Sequence, residues 1–195
     1  VFGGSFDPIH LGHVLAADDV RRQLRLDRVL FIPTWRPPHK RGPLTSYRHR
    51  LEMARLATIG EPGFEPCAVE QDRPGLSYTV DTLDELRSRY RGSTLYLIVG
   101  SDQYRDVASW HRPDLLARLA RVLVMSRPGV ERPALFPGHD PKRVLFHSVI
   151  PVGISAAAVR ARLAKGRSVR YMLPVNVTEY VKRHRLYRRP TVSAA

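Results

Sequence analysis

The sequence predicts an α/β domain built on a doubly wound, mostly parallel β-sheet with helices on both faces. Three observations carry this reading. Four short apolar runs, Val29-Leu30-Phe31-Ile32, Leu95-Tyr96-Leu97-Ile98-Val99, Val122-Leu123-Val124-Met125 and Val144-Leu145-Phe146, are continuous, not alternating. Strands covered on both faces have that pattern. Helical periodicity occupies the stretches between the runs, and strand–helix alternation of this kind builds parallel sheets. A proline-rich segment also follows one run directly, as a loop does at the carboxyl edge of an open sheet, where ligands bind.

Taken in order, Val1-Phe2 reads as the end of a first strand that enters from before Val1. His13, Ala16, Ala17, Val20 and Leu24 then share one helical face, with Asp18, Asp19, Arg21 and Arg22 pointing elsewhere. After the second strand, Pro33-Thr34-Trp35-Arg36-Pro37-Pro38-His39-Lys40-Arg41-Gly42-Pro43 is neither helix nor central strand, because its prolines lack donors and constrain their neighbours. Leu83, Leu86 and Tyr90 mark a further helix, with Thr79 expected as its N-cap and Asp81 in its first turn. Residues 127–141 form a second Pro/Gly-rich connection, in which no chemistry is legible beyond Arg127. Ser155 is expected to cap a last helix of alanines. The 195 residues suffice for one core and leave little for a second. Residues 1–187 therefore read as one Rossmann-like domain, with 155–187 its C-terminal helical part and 188–195 a tail.

Hydrophobic residues at 43% and charged residues at 26% are ordinary for a globular chain and exclude wholesale disorder. One cysteine, Cys67, excludes a disulfide framework. No apolar run approaches the length of a membrane span, and Val1-Phe2-Gly3-Gly4 does not read as a signal peptide, so a soluble cytoplasmic protein is expected. The net charge is +14, of which +9 lies from Ile150 onward. Such a field favours anionic partners, polyphosphates or nucleic acid among them, although arginine-rich composition alone gives the same number. The sequence shows no helix-turn-helix and no basic strand studded with aromatics, which sets nucleic-acid binding behind small anions.

The densest chemical signal is Gly3-Gly4-Ser5-Phe6-Asp7-Pro8-Ile9-His10-Leu11-Gly12-His13. A strand end, a glycine pair, a turn and a helix start let backbone approach a phosphate. His10 and His13, three apart at the helix entrance, can face one ligand, and Gly12 leaves room for a base or ribose. The residues leave two other readings open: His13 as a core histidine, or both histidines with Asp7 around zinc. Phosphate is preferred, because no third strong metal ligand is close in sequence.

This run resembles the Gly-x-Phe-Asp-Pro-x-His-x-Gly-His signature of the nucleotidyltransferase superfamily related to class I aminoacyl-tRNA synthetases. Four further segments narrow the resemblance: Pro33 through Lys40, Ser77-Tyr78-Thr79-Val80-Asp81-Thr82-Leu83, Gly100-Ser101-Asp102 with Trp110-His111, and Ile154-Ser155-Ala156-Ala157-Ala158-Val159-Arg160. Together they resemble the bacterial nicotinate-nucleotide adenylyltransferases over essentially the whole chain. The resemblance implies in-line transfer of AMP from ATP to nicotinate mononucleotide, releasing pyrophosphate, with no covalent enzyme intermediate. It implies His10 and His13 as the catalytic pair on the phosphoryl oxygens. ATP would be bound by Gly3, Gly4, Ser5, Phe6, Gly12, Gly100, Asp102, Arg127, Ser155 and Arg160. Lys40, Tyr78, Thr79, Trp110 and His111 would bind the mononucleotide.

Each role has a plainer counterpart: a surface lysine for Lys40, helix capping for Thr79 and Asp102, core packing for Trp110. The family often has Ser-Ser-Thr where this chain has Ser155-Ala156-Ala157, so two hydroxyls are missing from the expected ATP grip. No carboxylate cluster is visible, and Mg²⁺ is expected to arrive with ATP. Other enzymes of the superfamily, using phosphopantetheine or nicotinamide mononucleotide as acceptor, are the nearest alternatives. A homo-oligomer is left open.

Overall fold

A computed structural model describes residues 1–38, 42–126 and 128–188. Six parallel strands form one sheet in the order β3-β2-β1-β4-β5-β6. They are β1 (Phe2–Gly4), β2 (Val29–Pro33), β3 (Phe64–Pro66), β4 (Tyr96–Gly100), β5 (Arg121–Ser126) and β6 (Val144–Ser148). The four apolar runs all become strands. β3 was not expected, since Phe64-Glu65-Pro66 is short and contains proline; it lies at the sheet edge, where a missing N–H costs least. Pairing in register sets Phe2 beside Phe31, Val29 beside Phe64 and Tyr96 beside Arg121.

Consecutive residues of the central strands enter opposite cores, which is why the runs are apolar without alternation. Phe31, Ile98 and Leu123 face one layer, whereas Leu30, Leu97 and Val122 face the other. The first layer holds α1 (Leu11–Gln23), α2 (Tyr47–Thr58), α6 (Ala156–Ala164) and α7 (Val175–Arg183). The second holds α3 (Thr79–Arg89), α4 (Ser101–Arg105) and α5 (Leu116–Leu119). On α1 the predicted face is the buried one, with Ala17 and Val20 both at 0% exposure. Val159, Leu173, Val177 and Val181 join the same cluster as Ile9 and Ala17, so the C-terminal helices share the first layer's core. Burying one such aliphatic side chain contributes roughly 1.5–3 kcal/mol.

Thr79 is not the cap of α3. Tyr78 is the N-cap and Thr79 the first helical residue, while Asp81 does occupy the first turn. Ser155 caps α6 as expected, its hydroxyl accepting from the Ala158 N–H at 3.1 Å. The strand order reverses between β1 and β4, and the crevice outside their carboxyl ends is where such sheets receive ligands.

Candidate active site

β1 delivers Gly3 and Gly4 to that crevice, and the chain then turns through Ser5-Phe6-Asp7 into α1. Neither glycine carries the left-handed backbone; Phe6 does, at φ 44°. A Cβ on Gly4 would lie 3.2 Å from the Phe6 ring, so Gly4 is small to admit that ring, whereas a Cβ on Gly3 would meet nothing. Phe6 is 2% exposed and packs edge-on to Phe2 and His13. The buried Phe6, not either glycine, thus makes the left-handed turn, and core contacts hold the strain.

His10 is the N-cap of α1. Its N–H donates to Nδ1 of His13 at 3.2 Å, and the two rings stack with centroids 3.7 Å apart and 22° between planes. Burial holds His10 down to about 4 and His13 down to about 3, the latter helped by the neighbouring imidazole. Both rings are neutral at pH 7. Because Nδ1 of His13 accepts, its single proton sits on Nε2, a donor left for a ligand. Nδ1 of His10 is buried without a partner. The space a side chain at Gly12 would take is filled by this ring, 3.1 Å away, and by Val152. Gly12 therefore makes room for His10, where sequence reasoning reserved the space for a base or ribose.

The loop is braced from elements distant in sequence. Arg50 on α2, 2% exposed, donates to the carbonyls of Ser5 at 2.9 Å and Thr45 at 3.0 Å. The Asp7 carboxylate accepts from the Tyr187 hydroxyl at 2.7 Å and the Thr45 N–H at 3.4 Å. These bonds direct Asp7 to loop-holding, away from the zinc reading. Among the described residues, no group of three or more His, Cys, Asp or Glu is placed to hold a metal ion. Arg160 donates to the Asp7 carbonyl at 2.6 Å, so this arginine, expected on triphosphate, touches the loop itself. The N–H of Leu11 is taken by the Met172 carbonyl at 2.9 Å.

Beside the loop lies a cavity of about 460 Å³. Gly3, Gly4 and Ser5 form one side, and Tyr78, Thr79, Trp110 and His111 form another. Residues from three separate sequence segments thus meet in one space. The Tyr78 and His111 rings stack at 4.2 Å. Trp110 is half-buried against the second core layer while also lining the cavity. Gly100 is the N-cap of α4. Asp102, expected to bind ATP, is not among the residues that line this cavity; its side chain is 89% exposed and paired with Arg105 at 2.7 Å. The neighbours Gln103 and Asp106 line the cavity instead. Lys40 and Arg127 lie outside the described residues, as do residues 189–195 of the expected tail.

Sequence reasoning missed Glu70, Thr82 and Arg50. Glu70 follows the unforeseen β3, so no motif pointed to it. The Pro/Gly-rich connection also has a use. Its His139, 4% exposed, donates from Nε2 to the Pro113 carbonyl at 2.8 Å and accepts at Nδ1 from Tyr104, 2.9 Å away. This imidazole fastens the segment that follows Trp110-His111.

A family profile described as cytidylyltransferase-like matches residues 1–162. A probable nicotinate-nucleotide adenylyltransferase of Thermomicrobium roseum is 43% identical, the match covering 96% of this chain and 90% of that one. One from Thermus thermophilus is 45% identical over 96% of this chain and 98% of its own length. A Plasmodium falciparum nicotinic acid mononucleotide adenylyltransferase solved with NaAD superposes with TM-score 0.77 at 18% identity, covering 95% of both chains. That last likeness is one of fold.

Proposed function

Because this chain belongs to the nicotinate-nucleotide adenylyltransferase family, we infer that it transfers the adenylyl group of ATP to nicotinate mononucleotide, giving deamido-NAD and pyrophosphate in NAD biosynthesis. A phosphate oxygen of the mononucleotide attacks the α-phosphorus of ATP in line. The new P–O bond forms as the bond to the bridging oxygen breaks, and pyrophosphate leaves with the electron pair. The chain's contribution is to hold the two phosphates and to stabilise charge on the α-phosphoryl oxygens.

The observation that supports this best is the stacked, neutral histidine pair at the entrance of α1, beside the cavity at the β1–β4 reversal. The Nε2–H of His13 donates to an α-phosphoryl oxygen, and His10 fixes that ring through its own backbone N–H. Neither ring has to give up or gain a proton, because a phosphate monoester attacks without one to lose. Gly3, with open space where a side chain would be, lets the nucleotide lie against the backbone. The first-turn N–H groups of α6 after Ser155 attract the triphosphate. The nicotinate ring sits against Trp110, with its carboxylate near the start of α3 at Tyr78 and Thr79. Lys40 neutralises the mononucleotide phosphate. Arg160 acts through Asp7, holding the loop under the triphosphate.

ATP enters as its magnesium complex, the ion held by phosphate oxygens and water, which lowers the charge the loop must balance. Both substrates are phosphorylated metabolites of the cytoplasm, and the reading puts the enzyme there. Residues 1–187 act as one domain in this scheme, since Tyr187 braces the loop that follows β1.

Pyrophosphate release with ATP is the test, run against nicotinate mononucleotide, nicotinamide mononucleotide and phosphopantetheine. The first should be the preferred acceptor by kcat/KM. Equal or greater turnover with either of the others refutes the assignment.

A further inference from the structure

Glu70 is a buried carboxylate, 5% exposed, in the wall of a cavity read as receiving an anionic mononucleotide. A bare carboxylate there would repel the substrate and lose its own hydration. Both of its oxygens are engaged. Oε2 accepts from the Trp35 N–H at 3.0 Å, and Oε1 accepts from the Thr82 hydroxyl at 2.8 Å. The Thr82 oxygen in turn accepts from Arg73 at 2.9 Å, which fixes the direction of its proton, and Arg73 is itself paired with Glu85. Arg73 thus donates to Thr82 and Thr82 to Glu70, and the Glu70 carboxylate closes the chain by also accepting from the Trp35 N–H.

Trp35 begins the proline-rich loop after β2, beyond the ladder that would otherwise supply an acceptor for its N–H. Its ring stands edge-to-face on Tyr47 of α2, with centroids 4.7 Å apart. Thr82 lies on α3, in the turn after Tyr78 and Thr79. A single carboxylate therefore joins the proline-rich loop to the helix start, two walls of the same cavity. A second tie, between Arg36 and Ser77, lies alongside: Arg36 N–H to Ser77 Oγ at 3.0 Å and Ser77 N–H to Arg36 carbonyl at 2.8 Å.

We propose that Glu70 is a positioning residue for the acceptor: by holding Trp35 to α3 it sets the width of the mononucleotide cavity and so the affinity for that substrate. The proposal rests on the reading of the cavity as the mononucleotide site. Glu70→Ala should raise KM for nicotinate mononucleotide tenfold or more, leave KM for ATP within twofold and change kcat little. Glu70→Gln should lie between the two. Its amide oxygen still accepts from Trp35, but its N–H₂ cannot accept the Thr82 hydroxyl proton, which must turn to the Tyr78 carbonyl at 3.3 Å.

Amide hydrogen exchange at Trp35, which needs no substrate, should quicken in Glu70→Ala relative to wild type. An unchanged exchange rate at Trp35 overturns the proposal, as does a KM for ATP that rises in step with that for the mononucleotide. A wild-type chain inactive with every acceptor in the panel would refute the proposed function alone, and the Trp35 exchange rate would still decide whether Glu70 holds the loop.

Discussion

Lowering the pH should destabilise this protein through two particular imidazoles. His10 and His13 are held near 4 and near 3 by burial, against an ordinary value of 6.5. The unfolded chain takes up protons on these rings as pH falls below 6.5, while the folded chain does not. Their share of stability is therefore intact above pH 6.5 and is lost progressively towards pH 4 and then 3. At about 1.4 kcal/mol per pH unit, the loss by pH 4 is on the order of 3 kcal/mol for either ring. The stacked pair titrates as a unit, so the two losses do not simply add. A chain of this length loses roughly 2–4 °C of Tm per kcal/mol, which makes the effect roughly 6–12 °C.

The assay is thermal or urea unfolding from pH 8 to pH 4 on wild type and on His10→Asn/His13→Asn. Carboxylate protonation affects both proteins, and the variant's fixed offset is read at pH 8. The difference curve should be flat above pH 6.5 and fall below it. Parallel curves down to pH 4 would mean that the rings are not held neutral by the fold, and the donor role argued for His13 would lose its basis.

His13→Ala should lower kcat by about two orders of magnitude or more, the usual cost of removing one transition-state donor; near-normal turnover counts against it. Lys40→Ala should chiefly raise KM for the mononucleotide, and a defect confined to ATP would contradict the assignment. His139→Ala removes the acceptor of the Tyr104 hydroxyl proton and one of the donors to the Pro113 carbonyl, and should cost about 1–3 kcal/mol in urea unfolding. It should also raise KM for the acceptor; unchanged stability and KM would show the imidazole to be dispensable. Nicotinate should outcompete nicotinamide as the acceptor base in kcat/KM, because donors placed for a carboxylate are poorly matched by an amide. Equal values refute that placement.

The sheet was legible because parallel strands buried on both faces write themselves as unbroken apolar runs, and Val29-Leu30-Phe31-Ile32 is a plain case. The start of α1 was legible because a strand, a glycine pair and a helix with paired histidines are contiguous in sequence. What escaped was decided by contacts across the chain. Phe64-Glu65-Pro66 becomes a strand only because Val29-Leu30-Phe31 offers an open ladder beside it. Glu70, Arg50 and His139 owe their places to partners between 5 and 45 positions away, and no local pattern marks such residues. Asp102 and Asp106 show the same limit on one short helix: both are acids at its ends, and only packing decides which meets the cavity.

Three bonds from the last third of the chain end on residues 7–11: Arg160 to the Asp7 carbonyl, Tyr187 to the Asp7 carboxylate, and Leu11 to the Met172 carbonyl. A polypeptide that stops before Arg160 holds β1 to β6 but none of these three fastenings on the loop that follows β1. The bracing of that loop is thereby tied to residues 160–187, and a product clipped just ahead of Tyr187 would keep its strands while losing the bond to the Asp7 carboxylate.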